Sequence, residues 1–395
     1  MSNREVVVLS AVRTAVGKFG GALKDIPPTE LGARVVSESV LRSGLSSAEI
    51  GNLVFGNVIH TEGKDMYLAR VVALRGGLPI ETPALTLNRL CGSGLQAIVT
   101  AAQTIVHGDA DVAVAGGVES MSRAPYWLNA MRWGARMNNT AAVDVLVAAV
   151  TDPFDEIHMG VTAENVARKW GISREDQDEL AVESHRRAVD AIKAGKFKSQ
   201  IVPIELKTKG GTTLFDTDES PRADATRESL AKLNPAFDKE GTVTAGNASS
   251  VNDGAAAVVL MERRAAEERG LKPIARLIDY AVAGVEPGMM GIGPVPAVKR
   301  LYDRTGLSTD QIDVFEANEA FAAQVLAVRR ELKLPPEKTN PNGSGISLGH
   351  PLGATGAIVT VKAIYELHRI GGRYAVVTMC IGGGQGIAAA FEAMN

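Results

Sequence analysis

The sequence predicts an α/β protein. Short apolar, β-rich runs alternate with longer helical patterns, and the runs are bounded by glycine without the strict alternation of a half-exposed strand. With 395 residues and 45% hydrophobic content, the chain can also bury a large core spread over two or three domains.

In chain order, Val6 to Ser10 reads as a first strand behind a polar start, Met1 to Glu5, that has no apolar stretch or cleavage site of a signal peptide. Asn52 to Val58 is a second strand. Leu95 to Val106 follows a glycine-rich turn and carries helical periodicity, and Val112 to Gly116 returns to the sheet. Between Met121 and Thr244 the texture changes to a charged helix, Ser173 to Ala194, Pro and Gly punctuation, and a Met- and Trp-bearing stretch, Met121 to Met137. That texture reads as an insertion. Ala256 to Met261, Val314 to Ala317 and Tyr374 to Met379 supply the later strands. The four-residue echo of Ala97–Thr100 in Ala357–Thr360, each behind a glycine-rich turn, suggests two related halves whose helices start at Cys91 and His350. The expected organisation is a first half over 1–120 and 245–270, an inserted loop domain over 121–244, and a second half over 271–395.

Composition excludes several classes. A net charge of −3 gives no global pull toward nucleic acid. Apolar runs such as Ala141 to Val150 are short and broken by Asp144, so no membrane span is expected. Two cysteines far apart, with no C-x-x-C or H-E-x-x-H spacing, argue against a disulfide framework and a metal site, and fit a reducing cytoplasm.

Each cysteine opens a glycine-rich turn: Leu90-Cys91-Gly92-Ser93-Gly94 and Met379-Cys380-Ile381-Gly382-Gly383-Gly384. His350 sits in a third such segment, Asn342 to Gly353. A lone cysteine is more often inert packing than a nucleophile. Two thiols and an imidazole in glycine-rich turns, where backbone N–H groups approach a bound group closely, are the parts for acyl transfer through a thioester. Cys91 precedes a helix, whose dipole is expected to favour its thiolate. Gly382 to Gly386 also reads as a tight turn between two strands.

Six segments taken together resemble the thiolase family: Asn88–Gly94, Gly116–Ser122, Thr244–Ser249, Asn318–Ala322, Gly349–Pro351 and the Cys380 turn. The resemblance covers nearly the whole chain and implies a five-layered α-β-α-β-α core of two duplicated halves. It implies Cys91 as the nucleophile that carries the acyl group, His350 as its base, and Cys380 as the acid/base for the α-proton. Asn318 with His350 would stabilise an enolate, and the N–H groups of Cys91 and Gly382 the tetrahedral oxyanion. On the substrate side it implies His158 and Met159 along the pantetheine and acyl pocket, Ser249 on the pantetheine, Arg222 near the adenine, and Ala320 and Phe321 as pocket walls. For His158 a simply packed histidine is the competing reading. Acyl-CoA and CoA are then substrates, with no cofactor, and the 121–137 stretch would join dimers into a homotetramer.

The His158-Met159 pair resembles short-chain acetyl-CoA acetyltransferases and β-ketothiolases of biosynthetic type, acting on acetyl and propionyl groups. Gly343-Ser344-Gly345-Ile346-Ser347 departs from the family's more usual Gly-Gly-Ala-Ile-Ala while keeping small residues. The rivals are a longer-chain degradative 3-ketoacyl-CoA thiolase and a non-catalytic thiolase-like lipid carrier; a carrier has no need of two placed thiols. A decarboxylating condensing enzyme would not need Cys380. A dinucleotide fold is suggested by Gly92-Ser93-Gly94-Leu95-Gln96-Ala97, but Asp111 opens the next strand where an acidic residue should close it.

Overall fold

In the computed structural model, which describes residues 4–208 and 211–394, strand β1 (Val6–Arg13) is buried at every position. Residues 1–3, 209–210 and 395, which fall in the three expected ranges, lie outside the described residues. Burial on both sides requires layers above and below the sheet. The first half supplies β2 (Gly17–Lys18), α1 (Pro28–Ser43), β3 (Asn52–Gly56), α2 (Leu68–Arg75), β4 (Ala84–Leu87), α3 (Ser93–His107) and β5 (Val112–Ser120). Between β5 and β10 (Asn52's sheet is rejoined at Asn252–Glu262) lie two small hairpins, β6 (Tyr126–Trp127) with β7 (Val143–Asp144) and β8 (Ile204–Thr208) with β9 (Gly211–Phe215). The same segment holds α4 (Val145–Ala149), α5 (Met159–Trp170), α6 (Arg174–Lys193) and α7 (Arg227–Ala231). Helix α8 (Arg263–Glu268) leads to the second half: β11 (Ala275–Gly284), α9 (Pro294–Thr305), β12 (Val314–Ala317), α10 (Ala322–Leu332), α11 (Gly345–Leu348), α12 (Leu352–Ile370), β13 (Tyr374–Ile381) and β14 (Gln385–Ala393).

Strand order along the sheet is β12-β13-β14-β11-β1-β10-β5-β3-β4, with β2 paired to β10. Parallel pairs occur at β12/β13 and at β3 with β4 and β5, while the central strands are antiparallel. The two halves therefore share one build and meet where β1 pairs with β11, Val6 opposite Leu277 and Val8 opposite Ala275. Apolar clusters mark five layers. α3 and α12 fill the centre between the two sheet halves; α1 and α2 cover the outer face of the first, and α9 the outer face of the second.

The two central helices touch backbone to backbone. A Cβ on Gly94 would stand 2.6 Å from Ala357 N, and one on Gly356 would stand 2.2 Å from Leu95 N. These reciprocal contacts reveal the register of the duplication. Asn52 and Val314 open corresponding strands, as do Val112 and Tyr374, and the same shift in numbering carries Gly94 onto Gly356. The Ala97–Thr100 echo falls two places out of that register and is a coincidence. Cys91 and His350 thus start corresponding helices without being corresponding residues.

All six strands expected from sequence are present, four with longer bounds, Val314–Ala317 unchanged and Asn52–Val58 ending at Gly56, and the Leu95–Val106 and Ser173–Ala194 helices appear as α3 and α6. Strands β4, β11 and β14 were not legible. β11 carries Arg276, Asp279 and Tyr280 among its apolar positions, and β14 is rich in alanine, a residue of low strand preference. Asp144, which breaks the apolar run 141–150, caps α4 by accepting from Leu146 N at 2.9 Å.

Gly356→Ala places a methyl against immovable backbone and is expected to cost about 1 to 3 kcal/mol, a drop of a few degrees in the thermal unfolding midpoint. Gly63→Ala, where no atom lies within 4 Å of the added Cβ, is the control and should shift stability by no more than about 0.5 kcal/mol.

Candidate active site

Cys91 stands in a turn whose geometry is fixed from several sides. Arg89 N donates to Ser93 Oγ at 2.8 Å, Ser93 Oγ donates to Leu90 O at 2.7 Å, and Leu90 N donates to Asn88 Oδ1 at 2.8 Å. These bonds hold Leu90 at φ +44°, a left-handed conformation that a branched side chain adopts only under constraint. The result sets the Cys91 sulfur just ahead of α3. Backbone N–H groups of Gly382 and of Cys91 itself hydrogen-bond to it.

His350 reaches the same place from the start of α12. Its ring Nδ1 lies 2.7 Å from Thr355 Oγ1, and that hydroxyl donates to Pro351 O at 2.9 Å. A hydroxyl has one hydrogen, so Nδ1 must carry the proton and Nε2 is left as the acceptor. Asn252 Oδ1 accepts from His350 N at 2.9 Å, which pins the backbone. Asn318 Nδ2 lies 3.4 Å from His350 Nε2, and Asn318 Oδ1 is buried with no protein partner.

Cys380 closes the group from β13. The β13–β14 hairpin turns through Gly382–Gly384, where Gly383 and Gly384 have φ of +77° and +79°, so the expected tight turn is there and needs glycine. Cys380 is fully buried, whereas Cys91 is partly exposed to the cavity.

Electrostatics correct one expectation. Burial pushes the Cys91 thiol up to about 11, against the opposing N–H bonds, with the Glu119 charge adding to the rise. Desolvation outweighs the helix end, and no thiolate is favoured at rest. Burial likewise lowers His350 to about 4. The pair is a neutral thiol beside a neutral imidazole whose free nitrogen accepts. Cys380 is pushed up by burial and by the neighbouring Cys91 sulfur.

A cavity of about 250 Å³ joins Cys91, His350, Cys380 and Gly382 with His158, Met159, Ser249, Ala320 and Phe321. Two thiols, an imidazole and two converging N–H groups around one apolar cavity are arranged for thioester exchange and proton removal next to a carbonyl. Family models agree: residues 6–264 match the thiolase N-terminal domain and residues 271–393 the thiolase C-terminal domain. The chain belongs to the thiolase family. It is 65% identical over 98% of its length to the β-ketothiolase BktB of Cupriavidus necator, 99% of which is covered. To an acetyl-CoA acetyltransferase of Pseudomonas aeruginosa it is 49% identical, covering 98% of each chain. Among solved structures, a Bacillus anthracis acetyl-CoA acetyltransferase superposes with a TM-score of 0.97 at 47% identity over 99% of both chains. A human mitochondrial 3-ketoacyl-CoA thiolase in complex with CoA gives 0.96 at 44% identity, over 99% of this chain and 98% of that one.

On the thiolase substrate side, His158 caps α5: its Nδ1 accepts from Gly160 N at 3.0 Å, which leaves Nε2–H as a donor. Its ring stacks on Phe237 at 4.5 Å, and Phe237 meets Phe321 edge-on at 6.2 Å. Phe237 and Met290, also in the cavity wall, escaped the sequence reading because neither lies in a segment that carries a thiol or His350. Arg222 is not in this cavity. It lines an adjoining, larger one of about 390 Å³ with Lys18 and His185, and the two share Ala248 and Ser250. His185, given no role from sequence, accepts from Arg222 N at 3.2 Å; burial and the Arg222 charge lower it to about 4. Among the described residues no cluster of His, Cys, Asp or Glu could hold a metal ion, and no helix is long and apolar enough to cross a membrane.

Because the thiolate fraction of Cys91 keeps growing until the pH approaches 11, iodoacetamide alkylation of Cys91 should rise about tenfold per unit from pH 7 to 10. Mass spectrometry of the Cys91 peptide reads this; a plateau by pH 8 contradicts the neutral pair.

Proposed function

We propose that this thiolase is a short-chain β-ketothiolase, joining two acyl-CoA molecules into a 3-ketoacyl-CoA and CoA, and the reverse. The convergence of Cys91, His350 and Cys380 on one cavity supports the reading. In the first half-reaction Cys91 Sγ attacks the thioester carbon while His350 Nε2 takes the thiol proton. The bond to the CoA sulfur breaks, the proton passes to the leaving thiolate, and an acyl-Cys91 thioester remains. The oxyanion formed on the way faces the N–H groups of Cys91 and Gly382, and one such donor is worth about 3 to 4 kcal/mol.

In the second half-reaction Cys380 passes its thiol proton to His350 Nε2, which then becomes a donor, and as a thiolate removes the α-proton of a second acyl-CoA. The enolate oxygen is opposite Asn318 and His350, and the carbanion attacks the acyl-Cys91 carbonyl. Cys91 leaves as a thiolate and regains a proton from His350 Nε2, while Cys380 keeps the α-proton as its thiol. The upward shift of Cys380 suits it to this task, since its thiolate is a stronger base than an ordinary one and the α-carbon is a weak acid. His158, Met159, Ser249, Ala320 and Phe321 are assigned to the pantetheine and acyl group, and Arg222 to the nucleotide end. The reading requires no cofactor, with CoA and acyl-CoA as substrates, and the two unpaired cysteines support a reducing cytoplasm as its location.

A longer-chain degradative role has a specific observation in its favour: 47% identity to the bovine mitochondrial 3-ketoacyl-CoA thiolase, over 98% of each chain. Thiolysis of acetoacetyl-, 3-ketovaleryl- and 3-ketohexadecanoyl-CoA separates the two, and the short-chain reading expects kcat/KM to fall as the chain lengthens. Assembly as a homotetramer is supported by the exposed Trp127, Met131, Trp133 and Met137. Light scattering should give four copies, and Trp133→Ser should move the mass toward two.

Cys91→Ser and Cys380→Ser are each expected to lower acetoacetyl-CoA thiolysis by about a thousandfold. Incubated with acetyl-CoA, Cys380→Ser should still carry an acetyl group on the Cys91 peptide and Cys91→Ser should not. Equal labelling of the two variants would sink the division of roles.

A further inference from the structure

Glu119, inside the Gly116–Ser122 motif, has no part in the chemistry above. Its side chain is fully buried and accepts four hydrogen bonds. Oε1 accepts from Asn57 Nδ2 at 2.9 Å and Ile59 N at 3.0 Å, and Oε2 accepts from Val58 N at 3.0 Å and Gly353 N at 2.7 Å. Every partner is an N–H donor. A proton on this carboxyl would find no acceptor among them, so the cage matches the ionised form.

The donors come from both halves of the molecule. Asn57, Val58 and Ile59 follow β3, Glu119 is on β5, and Gly353 is the second residue of α12, three past His350. Contact there is tight: a Cβ on Gly353 would stand 2.7 Å from Glu119 Oε2, and one on Gly117 2.0 Å from Gly353 O. Ile59 and the partly buried Cys91 and Val58 pack in one apolar cluster with Leu352, next to His350 in the α12 entry. The carboxylate also lies at the positive end of α12, where a negative charge is favoured.

We propose that Glu119 is a positioning residue for this reaction: its carboxylate ties the N-terminus of α12, and thereby His350, to the strand and loop that border Cys91. The inference rests on the β-ketothiolase reading. The titratable groups facing it are Asp253 on β10 and Cys91 ahead of α3. Burial and the Asp253 charge push Glu119 up to about 7, its N–H donors oppose them, and its charge in turn raises the Cys91 thiol. Loss of that charge lets Cys91 ionise at lower pH. A brace that served stability alone would leave the kcat of a folded variant where it is.

Glu119→Gln keeps the shape, removes the charge, and turns an NH2 group toward N–H donors. For a folded variant, the proposal expects acetoacetyl-CoA thiolysis kcat to fall about tenfold or more and KM for CoA to stay within about threefold. It also expects the pH profile of Cys91 alkylation by iodoacetamide to move to lower pH. Asn57→Ala, which deletes one donor and no charge, should lower kcat about two- to fivefold with KM unchanged, and it decides the matter if Glu119→Gln does not fold. Unchanged kcat in the folded variants, or a fall in kcat with the alkylation profile unmoved in Glu119→Gln, overturns the proposal. A wild type without thiolysis would fail the β-ketothiolase reading instead, and the alkylation shift would still report on Glu119.

Discussion

The backbone contact between α3 and α12 is the constraint on which the rest of the molecule depends. Their N-terminal turns can bring Cys91 and His350 to one cavity only if the helices cross without side chains between them, and Gly94 and Gly356 provide that crossing. Glycine within a helix costs roughly 1 kcal/mol relative to alanine, and the chain carries that cost at both positions. Two sheet halves, joined edge to edge at β1 and β11, enclose the crossing from either side. A rotation of one half against the other would shift Cys91 relative to His350, so the long central sheet is also what sets the catalytic distance.

Burial then determines the chemistry available. A cavity deep enough to hold a thioester away from water raises both thiols and lowers the imidazole, which removes the ion pair that a solvent-exposed cysteine and histidine could form. Neutral partners pay no standing desolvation penalty. Charge appears only during reaction, and the N–H groups of Cys91 and Gly382 are already aimed at the sulfur when it does. The helix dipole, which from sequence alone argues for a resting thiolate, acts on the developing charge in the same way.

Much of the fold and the centre of the site were legible because the demands there are local. Glycine beside a thiol, and apolar runs with no alternation, are visible in a few consecutive residues. What stayed hidden depends on contacts between distant segments. β11 and β14 are strands because they pair with each other, β11 also with β1 and β14 also with β13, and Arg276 and Asp279 within β11 obscure its pattern. Phe237 belongs to the cavity because it stacks on His158, 79 positions earlier, and no property of its own neighbours announces that. The repeat misled for a related reason: four matching residues outweigh true correspondence by eye, whereas the real register is carried by two glycines that meet in space.

The two sulfurs differ in exposure, and the difference separates their tasks. Cys91 opens onto the cavity, where an acyl group must arrive and depart, while Cys380 is sealed beneath it at the end of β13. A nucleophile must be approached along a line to the carbonyl carbon and needs room on its far side. A base needs only to touch a hydrogen, and enclosure strengthens it by making its thiolate costlier to form. Exchanging the two environments would give a buried nucleophile with no path for its substrate and a water-washed base too weak for a carbon acid. The depth of each cysteine in the fold thus accounts for the order in which the two act.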